Sequence, residues 1–265
     1  MPTLNINGRA LYYDETGEKD ADFTVLFIHG ASSSSEIWTE DIMPAGVFRG
    51  IKIDLPGHGR SEPPGRRTVA HYAAIVEHFI RSHAPAQLIL VGHSMGSAIA
   101  LTIAHRSFVP VSGLILMGAS ARMPVGAPIL AGAMADLGQV AEFVAEYGLA
   151  QRTEKWQEEI RQQVMATGGM TTYGDYLACN RFDLRPHLPT IDTPTLIIAG
   201  RQDNMTPLRF SESTAAALPR GEITILEDTG HYAMIESPHA VRQLMTDFLH
   251  HLARPLQSSA KTPGD

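Results

Sequence analysis

The chain has 265 residues, 44% hydrophobic and 18% charged, a composition that supports one sizeable folded core and leaves little room for extended disorder. Its 21 Lys and Arg against 28 Asp and Glu give a formal charge of −7 with the basic residues scattered, so nucleic acid and anionic membrane surfaces are poor partners. A single cysteine, Cys179, excludes an internal disulfide and fits a reducing, cytoplasmic setting. The opening residues show no basic-then-apolar leader. The longest nearly apolar run, 123–135, is interrupted by Pro124, Gly126, Pro128 and Gly132 and is too short for a bilayer span.

In chain order, TLNING and ALYYD read as a hairpin about Asn7-Gly8, a strong short-range turn signal. TVLFIHG, IKIDLPG, LILVGHS, GLILMGA, TLIIAG and ITILED follow. They are short apolar runs ending in turn residues, as expected of parallel strands buried on both faces. Helical stripes separate most of them. After an N-cap at Thr68, the residues Val69, Tyr72, Ala73, Val76, Phe79 and Ile80 share one face. Thr206-Pro207 carries the same kind of start signal, and Ser237-Pro238 opens a helix whose stripe is Val241, Leu244, Met245, Phe248, Leu249 and Leu252.

Between residues 119 and 186 the alternation stops, and three helical patterns stand in place of strands: LAGAMADLGQVAEFVAEYGLA, TEKWQEEIRQQVMA and TYGDYLACN. The expected fold is therefore α/β: a mostly parallel eight-stranded sheet covered by helices, with a helical cap inserted after the sixth strand. Residues 1–118 and 187–252 form the core in this reading, 119–186 the cap, and 253–265 a loose C-terminal tail.

Gly92-His93-Ser94-Met95-Gly96 sits where a strand pattern meets a helix pattern, the context that a G-x-S-x-G nucleophile turn requires. A serine on so tight a turn is exposed, the flanking glycines avoid backbone collisions, and the following helix start aims N–H groups at developing negative charge. Serine needs a base, and the base needs an orienting acid. His231 follows the last strand pattern and Asp203 the one before it. In an open parallel sheet both loops share the rim that carries Ser94. Asp228 is the rival acid, disfavoured because it lies only three residues from His231.

The stretches FIHGASSSSEIW, DLPGHGRSE, VGHSMGSAIA, GRQDNMTP and DTGHYAMIESP together resemble the α/β-hydrolase fold superfamily from about Thr3 to Leu252. The resemblance implies Ser94 as nucleophile, His231 as general base and then acid, and Asp203 as its orienting partner. It also implies an oxyanion hole made by the backbone N–H groups of Ala31 and Met95. The nearest branches are serine carboxylesterases, enol-lactonases and cofactor-free haloperoxidases. Relatives with an aspartate nucleophile, such as haloalkane dehalogenases and epoxide hydrolases, are disfavoured by serine at position 94.

Ser32, Met117, Met123, Met205 and Met234 are candidate pocket residues, methionine being suited to an adaptable apolar wall. His29, His58 and His93 are expected to shape loops around the site, and Cys179 to pack as a small apolar side chain. No metal-ligand spacing and no cofactor motif stands out. The expected activity is hydrolysis of small to medium carboxylic esters, or lactones, by a monomer or homodimer acting on a small molecule. Carbon–carbon bond hydrolysis and perhydrolysis use the same three residues and stay open, as does a slow-turnover small-molecule receptor.

Overall fold

The computed structural model describes residues 2–18, 21–44, 48–83 and 87–253. Its eight strands are β1 (Thr3–Ile6), β2 (Arg9–Gly17), β3 (Phe23–Ile28), β4 (Phe48–Ile53), β5 (Leu88–His93), β6 (Gly113–Met117), β7 (Thr195–Gly200) and β8 (Gly221–Leu226). They form one sheet in the order β1-β2-β4-β3-β5-β6-β7-β8. Only the β1–β2 and β2–β4 pairs are antiparallel. The opening hairpin turns on Asn7 and Gly8 with φ of 53° and 81°, and the Asn5 side chain accepts the Gly8 N–H at 2.9 Å. Every residue of β3, β5, β6 and β7 is buried, as continuous apolar runs require. The β8 strand departs from that expectation: it closes the sheet and is only half-buried, with Glu222 exposed.

Alternate strand residues feed two apolar layers, because successive side chains point to opposite faces. Leu26, Ile28, Leu90, Leu114 and Leu116 pack under α1 (Val69–His83) and α2 (Met95–Arg106). Val25, Phe27, Ile89, Val91, Ile115 and Ile198 pack against Trp38 and α9 (Pro238–Ala253), which contributes Val241, Met245, Phe248 and Leu249. Thr68 caps the start of α1 as expected, accepting the His71 N–H at 3.2 Å. The tail expected at 253–265 lies, beyond Ala253, outside the described residues.

Between β6 and β7 run four helices: α3 (Ala127–Ala135), α4 (Leu137–Tyr147), α5 (Glu154–Thr167) and α6 (Gly169–Arg181). The long pattern over 130–150 is thus two helices. Asp136 breaks it, ending α3 and accepting the Gln139 N–H at 3.2 Å as the cap of α4. The remaining helices are α7 (Leu208–Ala217) and the single turn α8 (Ala233–Glu236). No helix among the described residues is long and apolar enough to cross a membrane.

The tightest approach joins β5, α2 and β3. A Cβ on Gly96 would run into the Ile28 carbonyl oxygen, and one on Gly92 would sit 2.5 Å from the Gly96 carbonyl oxygen. We expect Gly96→Ala to abolish a cooperative thermal transition or lower Tm by more than about 10 °C. Gly8→Ala, which meets open space and only the positive-φ penalty, should cost about 1 kcal/mol in urea unfolding.

Candidate active site

The loops after β3, β5, β6, β7 and β8 leave the same edge of the sheet, since these strands are parallel neighbours. Ser94 occupies the β5–α2 junction at φ 52° and ψ −116°, a strained backbone for a residue with a side chain. Its N–H donates to the Met117 carbonyl at 2.8 Å, which ties the turn to β6. Met95 is the first residue of α2, so its N–H is one of the helix-start donors without an intrahelical partner. Neither that N–H nor the Ala31 N–H donates to another group among the described residues.

His231 follows β8 and turns its Nδ1 to Asp203 Oδ2 at 2.8 Å. Asp203 is itself held: its Oδ1 accepts the N–H groups of Met205 and Thr206 at 2.8 and 2.7 Å. With Nδ1 donating to the carboxylate, Nε2 is the nitrogen left to accept a proton. Gly118, at φ 56°, makes room for the ring, because a Cβ there would lie 2.6 Å from His231 Cε1. The Asp228 side chain is exposed, and its backbone carbonyl accepts the Gln151 side chain at 3.1 Å.

Thr206 corrects the expectation that it caps α7. Pro207 takes the cap position with no side-chain bond, and the Thr206 hydroxyl lies 2.9 Å from Asp203 Oδ2, 3.0 Å from His231 Nδ1 and 3.2 Å from the Gly118 carbonyl. A hydroxyl can serve several such partners, and here they outbid a helix end.

Ala31, Ser94 and His231 all open onto one cavity of about 410 Å3. Met123 and Met205 line it, and so does Cys179. Ser32, Met117 and Met234 do not. Met117 and Met234 are buried in the layer beneath α9, and Ser32 is buried with both its N–H and its hydroxyl bonded to α6. The sequence reading missed Arg122, Ile129, Phe143, Tyr176 and Phe210, which complete much of the wall. Most of these stand on the inserted helices or just before them, where the pattern gives helices but not which face meets the core. The lining is chiefly apolar; Arg122 is among the lining residues, its guanidinium bonded to the Asn180 carbonyl at 2.8 Å.

A model of the alpha/beta hydrolase family matches residues 25–244. The chain belongs to the alpha/beta hydrolase family. It is 28% identical to a pimeloyl-[acyl-carrier protein] methyl ester esterase of Yersinia enterocolitica, over 91% of this chain and 97% of that one. Among solved structures it resembles the enol-lactonase of Burkholderia xenovorans LB400, with a TM-score of 0.87, 24% identity and coverage of 94% of this chain and all of the other (100%). It also resembles the esterase EaEST from Exiguobacterium antarcticum, with a TM-score of 0.85, 20% identity and coverage of 92% and 97%.

Two buried carboxylates of this hydrolase tie the inserted helices to the loops at this edge of the sheet, and neither was singled out from sequence. Glu236 Oε2 accepts the N–H groups of Ala150 and Gln151 at 2.7 and 2.9 Å, and its Oε1 accepts that of Gly230 at 2.9 Å. Beside it the His231 N–H donates to the Gly148 carbonyl at 2.7 Å, so the histidine loop is stitched to the α4–α5 connection. Asp175, on α6, is fully buried and accepts from Tyr72, His58 and the Ser32 N–H. A signal existed in the sequence: Asp175 falls at helical spacing with Thr172 and Cys179, an acid inside an otherwise buried stripe.

The three histidines near these loops act as buried spacers. His29 Nε2 accepts the Leu55 N–H at 3.0 Å, and His93 Nε2 donates to the His231 carbonyl at 3.1 Å. Burial, reinforced by the neighbouring His58, pushes the His29 imidazole down to about 3. Burial and His231 likewise hold His93 well below the ordinary histidine value. Burial opposes the charge on His58 too, but Asp175 outweighs it and raises that group.

These directions set an acid sensitivity. Below the ordinary value of 6.5, the unfolded chain protonates His29 and His93 while the folded chain keeps them neutral. Their contribution to stability is therefore present above 6.5 and lost as pH falls toward the folded values. His58 has the opposite sign, contributing below 6.5 and fading as pH rises. His29→Gln keeps an acceptor for the Leu55 N–H. Urea unfolding between about pH 6 and pH 4 should give it a shallower loss of stability than the parent, by up to about 1.4 kcal/mol per pH unit.

Proposed function

We propose that the protein is a carboxylic ester hydrolase acting through an acyl-enzyme on Ser94, with His231 as general base and acid and Asp203 as its orienting carboxylate. The observation that carries this reading is the convergence of Ser94 and an Asp203-held His231 on one chiefly apolar cavity. His231 Nε2 takes the Ser94 proton as Oγ attacks the ester carbonyl. Its Nδ1–H stays with Asp203, which stabilises the imidazolium that forms. The Ala31 and Met95 N–H groups bind the tetrahedral oxyanion; each such donor is worth about 3 kcal/mol of barrier, roughly a hundredfold in rate. His231 then protonates the leaving alcohol, activates water for attack on the acyl-enzyme and returns the proton to Ser94.

The cavity volume and lining suit a small to medium acyl or aryl ester, or a lactone, with the helices α3 to α6 serving as its cap. The relatives named as a methyl ester esterase and an enol-lactonase support this substrate range by analogy. The mechanism draws on no cofactor, and the reading keeps a cytoplasmic protein acting on a small molecule.

Multiple turnover of short p-nitrophenyl esters is expected, and a release limited to one equivalent per chain would instead mark a slow receptor. Ser94→Ala should remove turnover by at least about 10³-fold and Asp203→Asn by about 10⁴-fold, whereas Asp228→Asn should stay within about twofold. Turnover surviving in Ser94→Ala refutes the assignment. The rate should fall on the acid side, because a protonated His231 cannot act as base.

A further inference from the structure

Ser32 is one of four non-glycine residues at positive φ among the described residues, at 53°. Such a backbone persists only where its surroundings impose it. Both groups that hold it belong to α6: its N–H donates to Asp175 Oδ2 at 2.9 Å, and its hydroxyl donates to Thr172 Oγ1 at 3.2 Å. The Ser32 N–H and the Ala31 N–H lie in consecutive peptide planes, so fixing the first orients the second. Asp175 is in turn fixed from the core, with the Tyr72 hydroxyl donating to Oδ1 at 2.6 Å and His58 Nε2 to Oδ2 at 2.7 Å. The Tyr72 hydroxyl also accepts the Arg66 N–H at 2.8 Å, and His58 Nδ1 sits 3.1 Å from the Pro56 carbonyl. The three residues that donate to Asp175 lie on different segments: Ser32 in the loop after β3, His58 in the loop after β4, and Tyr72 on α1.

We propose that Asp175 is a positioning residue for the reaction: from the inserted helix α6 its carboxylate holds the Ser32 N–H and so sets the Ala31 donor of the oxyanion site. The inserted helices thus supply part of the catalytic geometry as well as a wall of the cavity. This rests on the assignment of Ser94 as nucleophile and of Ala31 as an oxyanion donor. An asparagine at 175 cannot reproduce the pattern. Three accepted contacts become a mixture of acceptor and donor, and either Tyr72 or the Ser32 N–H loses its oxygen.

The test is Asp175→Asn, with Val164→Ala, a buried truncation in α5, as a control for lost stability alone. With a p-nitrophenyl ester, Asp175→Asn should lower kcat by about 10- to 100-fold while KM moves less than about threefold. Inhibition by phenylboronic acid, which forms a tetrahedral adduct on the serine, should weaken by the same factor. Val164→Ala should keep kcat within about twofold at a comparable fall in Tm. A folded Asp175→Asn with kcat and boronate affinity within about twofold of the parent overturns the proposal, as does an equal kcat loss in Val164→Ala.

Ser94→Ala separates the two levels of inference. If it is inactive and Asp175→Asn is unimpaired, only the positioning role fails; if it turns over normally, both fail. Should Asp175→Asn not fold, the Ser32 amide of the intact protein gives the answer. Exchange of that amide only on global unfolding supports the carboxylate's hold, and exchange as fast as an exposed loop amide overturns it.

Discussion

The architecture of the site depends on one close approach, the crossing of α2 over the ends of β3 and β5. Gly96 lies against the Ile28 carbonyl and Gly92 against the carbonyl of Gly96, leaving no space for a β-carbon at either place. That contact forces the chain to reverse within Ser94, at a backbone conformation a serine resists. The strain is held by the sheet register. β5 pairs with β3 on one side and β6 on the other, and the Met117 carbonyl takes the Ser94 N–H. From this junction follow the placement of the half-buried Ser94 on the cavity, the helix start beside it and the proximity of the β3 loop that carries Ala31.

Around that junction lie buried carboxylates that a hydrophobic core would reject unless they were hydrogen-bonded. Asp203 accepts two backbone N–H groups, a threonine hydroxyl and an imidazole; Glu236 accepts three backbone N–H groups; Asp175 accepts a backbone N–H, a phenol and an imidazole. All three carboxylates fasten loops at the rim. Loops bonded in this way through fixed acceptors are more constrained than loops packed through apolar contact alone, because each bond has a direction as well as a distance. The two that lie away from the serine, Asp175 and Glu236, both span from the core to the inserted helices. The rim and those helices therefore form one hydrogen-bonded unit.

The fold was legible because the apolar runs and their turn residues are strong local signals. Strand periods, the Asn7-Gly8 hairpin and the Thr68 and Ser237-Pro238 helix starts each depend on neighbours within a few residues. Where a long-range partner competes for a side chain, local reading fails. Thr206 looks like a helix cap, but its hydroxyl is drawn to Asp203, His231 and Gly118. Met117 and Met234 look like pocket residues by their place near the rim, yet strand alternation and the short α8 turn direct them into the layer beneath α9. The single helical pattern over 130–150 conceals Asp136, whose cap interaction outweighs continuation of the helix.

By itself the sequence determined the sheet-and-helix alternation, the Gly-x-Ser-x-Gly turn and the order in which Ser94, Asp203 and His231 occur, since these are written in spacings and residue types. Only the tertiary structure decided which oxygen of Asp203 meets His231, which methionines reach the cavity, and that Asp175 and Glu236 bind the inserted helices to the rim. Between the core and the inserted helices, the two carboxylate links join residues from 85 to 143 positions apart. Their formation depends on the rotation of α6 and on the path of the α4–α5 connection, which short-range periodicity does not specify.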